Sequence, residues 1–195
     1  MSKIKSAWEI ALEKTEDIKI DEKKLAYDEA VKKARTIAGK YVNNDEDAGE
    51  DVQKELSSIN DKAAMKEGVR MTIVQNLNLP SEEVLTDRFE RLEKLASIIT
   101  NNNEEVSALL SQITTFLKQY PLHKKQLIDQ LKEQYAPALE QKAAQLREKY
   151  GQSVTLSAEN DPEFLKIADS QLERLSKQYT ESLDEAKTQL NELLK

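Results

Sequence analysis

Cysteine is missing from this chain of 195 residues, histidine occurs once, and no glycine-rich loop of the phosphate-binding kind is present. Without cysteine there are no disulfides and no thiolate metal site, so nothing in the sequence points to an oxidising compartment. The one histidine, His123, lacks the companion ligands that a zinc site draws on. Beside Pro121, Lys124 and Lys125 it reads as an exposed helix start. No stretch approaches the roughly 18 apolar residues that span a bilayer, so no membrane partner is expected. Lys3 and Lys5 are followed by Glu9, Glu13 and Lys14, which interrupt the apolar region of a signal peptide. A cytoplasmic protein is the expectation.

Charged residues are 33% of the chain and hydrophobic residues 38%. That balance suits thin helical assemblies, which have much surface and a narrow core, and it borders on disorder. Periodicity decides between them. From Leu165 the apolar positions run Leu165, Ala168, Leu172, Leu175, Tyr179, Leu183, Ala186, Leu190 and Leu193, in steps of three or four that keep one face of a helix apolar. The formal net charge of −7 comes with Lys and Arg dispersed among Asp and Glu, a surface that favours solubility without attracting nucleic acid.

The same pattern divides the rest of the chain. Ile4, Ala7, Trp8, Ala11 and Leu12 share a face of a short first helix. Asp21 offers an N-cap for a helix over residues 22–42, with Tyr27, Ala30, Ala34, Ile37 and Tyr41 inward. An acidic loop over 43–51 precedes a helix beginning at Val52, which blurs between Met65 and Gly68 and stops at Asn78-Leu79-Pro80. Ser81, with Glu82 and Glu83 behind it, opens another helix, and Asn101-Asn102-Asn103 makes a turn. A fifth helix is expected to end at Pro121, and a sixth to run from Leu122 to Tyr150 with a kink at Pro137 and a stop at Gly151. Asp161-Pro162-Glu163 opens the last helix. Consecutive steps of four, from Leu131 to Tyr135 to Leu139 in the sixth helix and from Leu175 to Tyr179 to Leu183 in the last, predict that the two pair lengthwise and run nearly straight. The organisation expected is N-terminal helices over 1–44, central helices over 45–121 and a helical hairpin over 122–195.

Few residues qualify as sites. An EF-hand counted from Asp45 needs glycine sixth and glutamate twelfth, where Glu50 and Leu56 stand, so the acidic loop is read as solvated. Glu82, Glu83, Glu104 and Glu105 fall in first helical turns, where the helix dipole accounts for them. Asp87-Arg88, Glu90-Arg91 and Glu93-Lys94 are charges on a solvated face. Lys32, Lys33 and Arg35 mark the most basic helix and the one stretch suited to phosphate contacts, diluted by Glu22, Asp28 and Glu29. Trp8 is either a core anchor or a hot spot for a partner's groove.

The opening Ile4-Lys5-Ser6-Ala7-Trp8-Glu9-Ile10-Ala11-Leu12-Glu13-Lys14-Thr15 resembles the start of a family of uncharacterised bacterial cytosolic proteins, which implies no activity. The run from Glu163 to Leu194, including Leu172-Glu173-Arg174-Leu175-Ser176-Lys177-Gln178-Tyr179, is similar in rhythm to the last helix of ribosome recycling factor. That family carries an inserted β domain and an arginine-bearing face, which this chain departs from, so no residue is carried over.

The sequence thus predicts an all-α fold, an elongated helical bundle ending in a long antiparallel coiled-coil hairpin. The function expected is that of a non-catalytic interaction or scaffold protein acting through a helix face, by self-association or on a protein partner, with no cofactor and no metal. The alternative is a ribosome- or RNA-associated factor binding through Lys32, Lys33 and Arg35.

Overall fold

A computed structural model of the chain describes residues 21–44, 51–81, 86–151 and 156–195. Among the described residues there are six α-helices and no strand: α1 (Glu22–Asn43), α2 (Val52–Ser57), α3 (Lys62–Asn76), α4 (Thr86–Thr100), α5 (Glu104–Tyr150) and α6 (Pro162–Leu193). One turn of 3-10 helix, Ala158–Asn160, precedes α6. Two compact units divide the chain between Met71 and Thr72. The helix expected around Trp8 lies outside the described residues, as do the acidic loop up to Glu50 and the turn at Glu82 and Glu83.

In the first unit Asp21 caps α1, its carboxylate accepting from the Lys23 and Lys24 amides at 3.1 Å. Asn44 ends the helix in the left-handed region, at φ 57°. Ala34, Ala38 and Val42 form its buried face, with Val52, Leu56, Ile59, Ala64, Met65 and Val69 also in the core. The helix expected to blur at Met65–Gly68 is interrupted earlier, over 58–61. There the Ser58 hydroxyl turns back on the Glu55 carbonyl at 2.6 Å, and the Asp61 carboxylate restarts the chain as a cap, accepting from the Ala64 amide at 2.9 Å. Gly68 itself has a packing role. A Cβ there would stand 2.5 Å from the Val31 carbonyl oxygen and 2.7 Å from the Ala34 Cβ, so its absence lets α1 and α3 touch.

In the second unit α5 corrects the sequence reading most. The predicted fifth and sixth helices are one helix of 47 residues that runs through both Pro121 and Pro137. A proline within a helix loses one backbone bond and crowds the preceding turn, at a cost of about 3 kcal/mol. Packing on both sides of Pro121 holds the helix across it. Leu117 and Tyr120 are buried before it, and Lys124 and Ile128 continue the same face after it. Asn103 caps α5 through the Glu105 amide at 2.8 Å, and Gly151 closes it at φ 69°.

Contacts between α5 and α6 run in opposite order along the two helices. Tyr135 meets Phe164, Tyr120 meets Tyr179, and Ile113 lines a groove with Ala186. The ends of the α6 seam differ from expectation. Leu165 and Leu193 are 44% and 38% exposed, while Phe164 and Leu194 are each 2% exposed in their place. The inward positions are therefore Phe164, Ala168, Leu172, Leu175, Tyr179, Leu183, Ala186, Leu190 and Leu194, a repeating 4-4-3 spacing. From Tyr120 to Leu146 the inward residues of α5 follow the same spacing. Such an 11-residue repeat averages about 3.67 residues per turn, close to a straight helix, whereas a seven-residue repeat drifts by about 20° per heptad. The expected seam, in steps of three or four from Leu165 to Leu193, agrees with this spacing from Ala168 to Leu190 and misses by one residue at each end.

The glycines separate two effects. Gly39 is helical, and a methyl group added at its Cα would meet nothing within 4 Å, so Gly39→Ala should raise stability by about 0.5–1 kcal/mol in urea unfolding. Gly68→Ala should lower it by about 1–3 kcal/mol by forcing α1 away from α3. Equal effects at the two positions would mean that α1 and α3 do not meet at Gly68.

Candidate functional site

The densest polar cluster of the described residues lies where α6 begins. Asp161 is the α6 N-cap, and the Pro162 that follows suits the first helical position because its missing N–H would have no helical partner. Oδ1 of Asp161 accepts from the Glu163 amide at 2.9 Å, the Phe164 amide at 3.4 Å and the Tyr135 hydroxyl at 3.1 Å. Oδ2 accepts from the Lys142 ammonium at 2.7 Å. The residue is 9% exposed, and four donors saturate it.

Lys142 reaches this carboxylate from α5. Its ammonium also lies 2.7 Å from Oε2 of Glu163 and donates to the Tyr135 hydroxyl at 2.8 Å, which uses all three of its N–H groups. One turn of 3-10 helix away, Lys132 donates to Glu159 at 2.6 Å and the Ser157 hydroxyl donates to the same carboxylate at 2.7 Å. Beneath the charges Ala158, Phe164 and Ala168 pack with Ile128, Leu131, Tyr135 and Leu139, the Tyr135 and Phe164 rings 5.4 Å apart.

Each titratable group is held in its resting form. Hydrogen bonds that Lys142 donates to Asp161, then to Glu163 and Tyr135, push it well above the usual lysine value. Lys142 in turn lowers Asp161 and Glu163, and Lys132 lowers Glu159. The Lys142 bond pulls the Tyr135 phenol down, but desolvation and Asp161 outweigh it and leave it raised. An ammonium that keeps its proton and carboxylates that stay ionised are poor acids, bases and nucleophiles near neutral pH. The arrangement is a clasp between α5 and the start of α6, with a cavity of about 490 Å³ beside it lined by Leu146, Lys149, Leu156 and Pro162.

A second cluster centres on Tyr179. Its ring stacks on Phe116 at 4.5 Å and tilts against Tyr120 at 5.0 Å, and its hydroxyl lies 2.5 Å from Nδ1 of His123. Burial, then the neighbouring Tyr120, raises the Tyr179 phenol. His123 is thus exposed but tied, and it sits inside a continuous helix rather than at a helix start. Nearby, Leu109, Ile113, Phe116 and Ala186 form the apolar floor of an open groove between α5 and α6, about 250 Å³ in volume, rimmed by Gln112, Ser182, Glu185 and Gln189.

Lys32, Lys33 and Arg35 are all exposed on α1. At about 100° per residue Lys33 lies on the opposite flank from Arg35, so the helix does not gather the three into one face. Trp8 lies outside the described residues. Among the described residues no group of three or more His, Asp or Glu side chains stands ready to hold a metal, and no helix is long and apolar enough to cross a membrane. Tyr135 is legible in the sequence as a seam residue, but Lys142 and Asp161 as partners are not. Their meeting depends on the register in which α6 returns along α5, which no local pattern encodes.

Residues 53–192 match DUF6657, a family of unknown function. The chain belongs to this family. The match takes in α3, α4, α5 and nearly all of α6, and with them the clasp and the groove, while residues 4–15 lie outside it. Comparison of this DUF6657 chain with curated proteins and with solved structures finds no match.

The clasp carries a pH signature. Asp161 and Glu163, lowered from ordinary values of 3.8 and 4.5, contribute stability that is present above those values and lost as pH falls through their folded values. Lys142, raised from 10.5, contributes stability present below that pH and lost only as pH climbs through its higher folded value. Lys142→Met should therefore lower the thermal midpoint at pH 7 and narrow its gap from wild type as pH is taken below 4. A gap that stays constant from pH 7 to pH 3 would show that the carboxylates gain nothing from Lys142.

Proposed function

We propose that this protein is a cytoplasmic, non-catalytic helical interaction protein that works by presenting the paired faces of α5 and α6 to a protein partner or to a second copy of itself. The observation that carries this reading is the open groove floored by Leu109, Ile113, Phe116 and Ala186 and rimmed by amides, a serine and a glutamate. An apolar floor within a polar rim is the anatomy of surfaces that accept a helix side chain. The clasp supports the same reading from the other end of the pair. Its groups are spent on each other, so their contribution is to fix α6 against α5, and a docking face has to be held in one shape before it can bind.

The test uses the groove's rim, whose residues can change without disturbing the floor. Gln112→Arg combined with Ser182→Arg places two charges at the groove mouth. Sedimentation equilibrium compares each protein with the chain mass of 22.2 kDa. A wild-type dimer that the double variant shifts at least tenfold toward monomer identifies self-association through this face. A monomeric wild type whose capture of a defined cellular protein is lost in the double variant identifies a partner. Binding of either kind that the double variant leaves unchanged would remove the groove as the working surface.

A further inference from the structure

Asparagines at the end of α3 hold two cations in place. Asn76 donates through Nδ2 to the Thr72 carbonyl at 2.7 Å, and its Oδ1 accepts from the Arg88 guanidinium of α4. Asn78 donates to the Gln75 carbonyl at 2.8 Å, and its Oδ1 lies 3.5 Å from the Lys187 ammonium of α6. Each asparagine is thus anchored on the backbone of α3 and aims its oxygen at a cation. Between them a cavity of about 200 Å³ opens, lined by Asn76, Asn78, Ser81, Arg88 and the apolar walls Leu79, Pro80 and Phe89.

Arg88 is an unusual surface arginine. It is half-buried, its guanidinium donates to a neutral amide, and among the described residues its buried Nε has no hydrogen-bond partner. A buried donor without a partner costs on the order of 1–3 kcal/mol, and more on a charged group. The C-terminal end of α3 offers the guanidinium part of a negative charge. That explains why a cation is tolerated there, but among the described residues it leaves most of the charge unanswered. A guanidinium presents a planar fork that fits the two oxygens of a carboxylate or phosphate group, and Ser81 adds a hydroxyl on the same cavity wall.

We infer that this cavity takes a small oxyanion, the carboxylate or phosphate group of a ligand, on Arg88, with Lys187 as the nearby second charge. Asn76 and Asn78 are positioning residues that set the guanidinium and the ammonium. The cavity is small and Arg88 is the one cation among its lining residues, with Lys187 outside the lining, so the site recognises one charged group and not an extended polyanion.

The Nε–Hε resonance of Arg88 in a nitrogen-15 correlation spectrum of the full chain reads this directly. Sodium acetate and sodium phosphate are titrated in separate arms at constant ionic strength, with sodium chloride as the reference. The inference expects a saturable shift of the Arg88 resonance in at least one oxyanion arm, with a Kd on the order of 1 mM. The arm that saturates at lower concentration assigns the group as carboxylate or phosphate. Lys187→Gln, a change at a partly exposed position of α6, should weaken that binding severalfold while leaving the fold intact, and Asn76→Ala should weaken it while the resonance broadens. A shift that grows linearly in every arm, or one equal to that in chloride, overturns the site. So does an Arg88 resonance indifferent to added anion but moving as the chain's own carboxylates titrate, because the guanidinium would then be answered from within the protein.

Discussion

Residues 72–195 depend on keeping one face of α5 against one face of α6 over many turns. The core here is narrow, and each helix has few fully buried residues on which to rely. Burying a leucine or phenylalanine contributes about 1.5–3 kcal/mol, and ordering each residue takes back a similar order of free energy. The seam therefore has to stay in contact along its whole length. The shared 4-4-3 spacing does this, because positions that recur every 11 residues stay in line on a helix that neither coils tightly nor drifts. Phe164 and Leu194, 2% exposed at either end of α6, show how far that alignment extends.

The clasp solves a different problem, that of starting α6 at the right place. An N-cap satisfies the first amides of a helix wherever that helix happens to lie. Asp161 does so while also receiving Lys142 and Tyr135 from α5, so one carboxylate sets both the first residue of α6 and its register against its neighbour. Apolar seams specify register weakly, since leucines slide past leucines at small cost. A saturated carboxylate does not slide, because each lost donor would leave part of it unanswered.

Much of this is legible from sequence, and the limits have physical causes. Asp21, Gly151 and Pro162 mark helix ends through local chemistry that acts within a few residues, and each is found where that chemistry puts it. Pro121 and Gly68 mislead because their local cost is real but smaller than the packing around them. The seam of α6 is readable in its middle and wrong at Leu165 and Leu193, where an apolar residue one position further out, Phe164 or Leu194, is buried instead. Of the candidate site, Tyr135 and the Asp161 cap are visible singly. Lys142, Arg88 and the two asparagines are not, since each matters only through a residue far along the chain. Lys32, Lys33 and Arg35 stand out by composition, and composition carries no information about how a helix distributes them around its axis.

Pro121 does mark a boundary after all, though not of the helix. Every fully buried residue of α5, from Val106 to Tyr120, precedes it, and those beyond are at most half-buried. With no N–H at Pro121 or Pro137, the ladder of helical bonds is broken at two points. A single helix is thereby divided into stretches that can open separately. The stretch before Pro121 carries the buried residues and the stretch beyond it does not, so solvent hydrogen is expected to enter one continuous helix more slowly before Pro121 than nearer Tyr150.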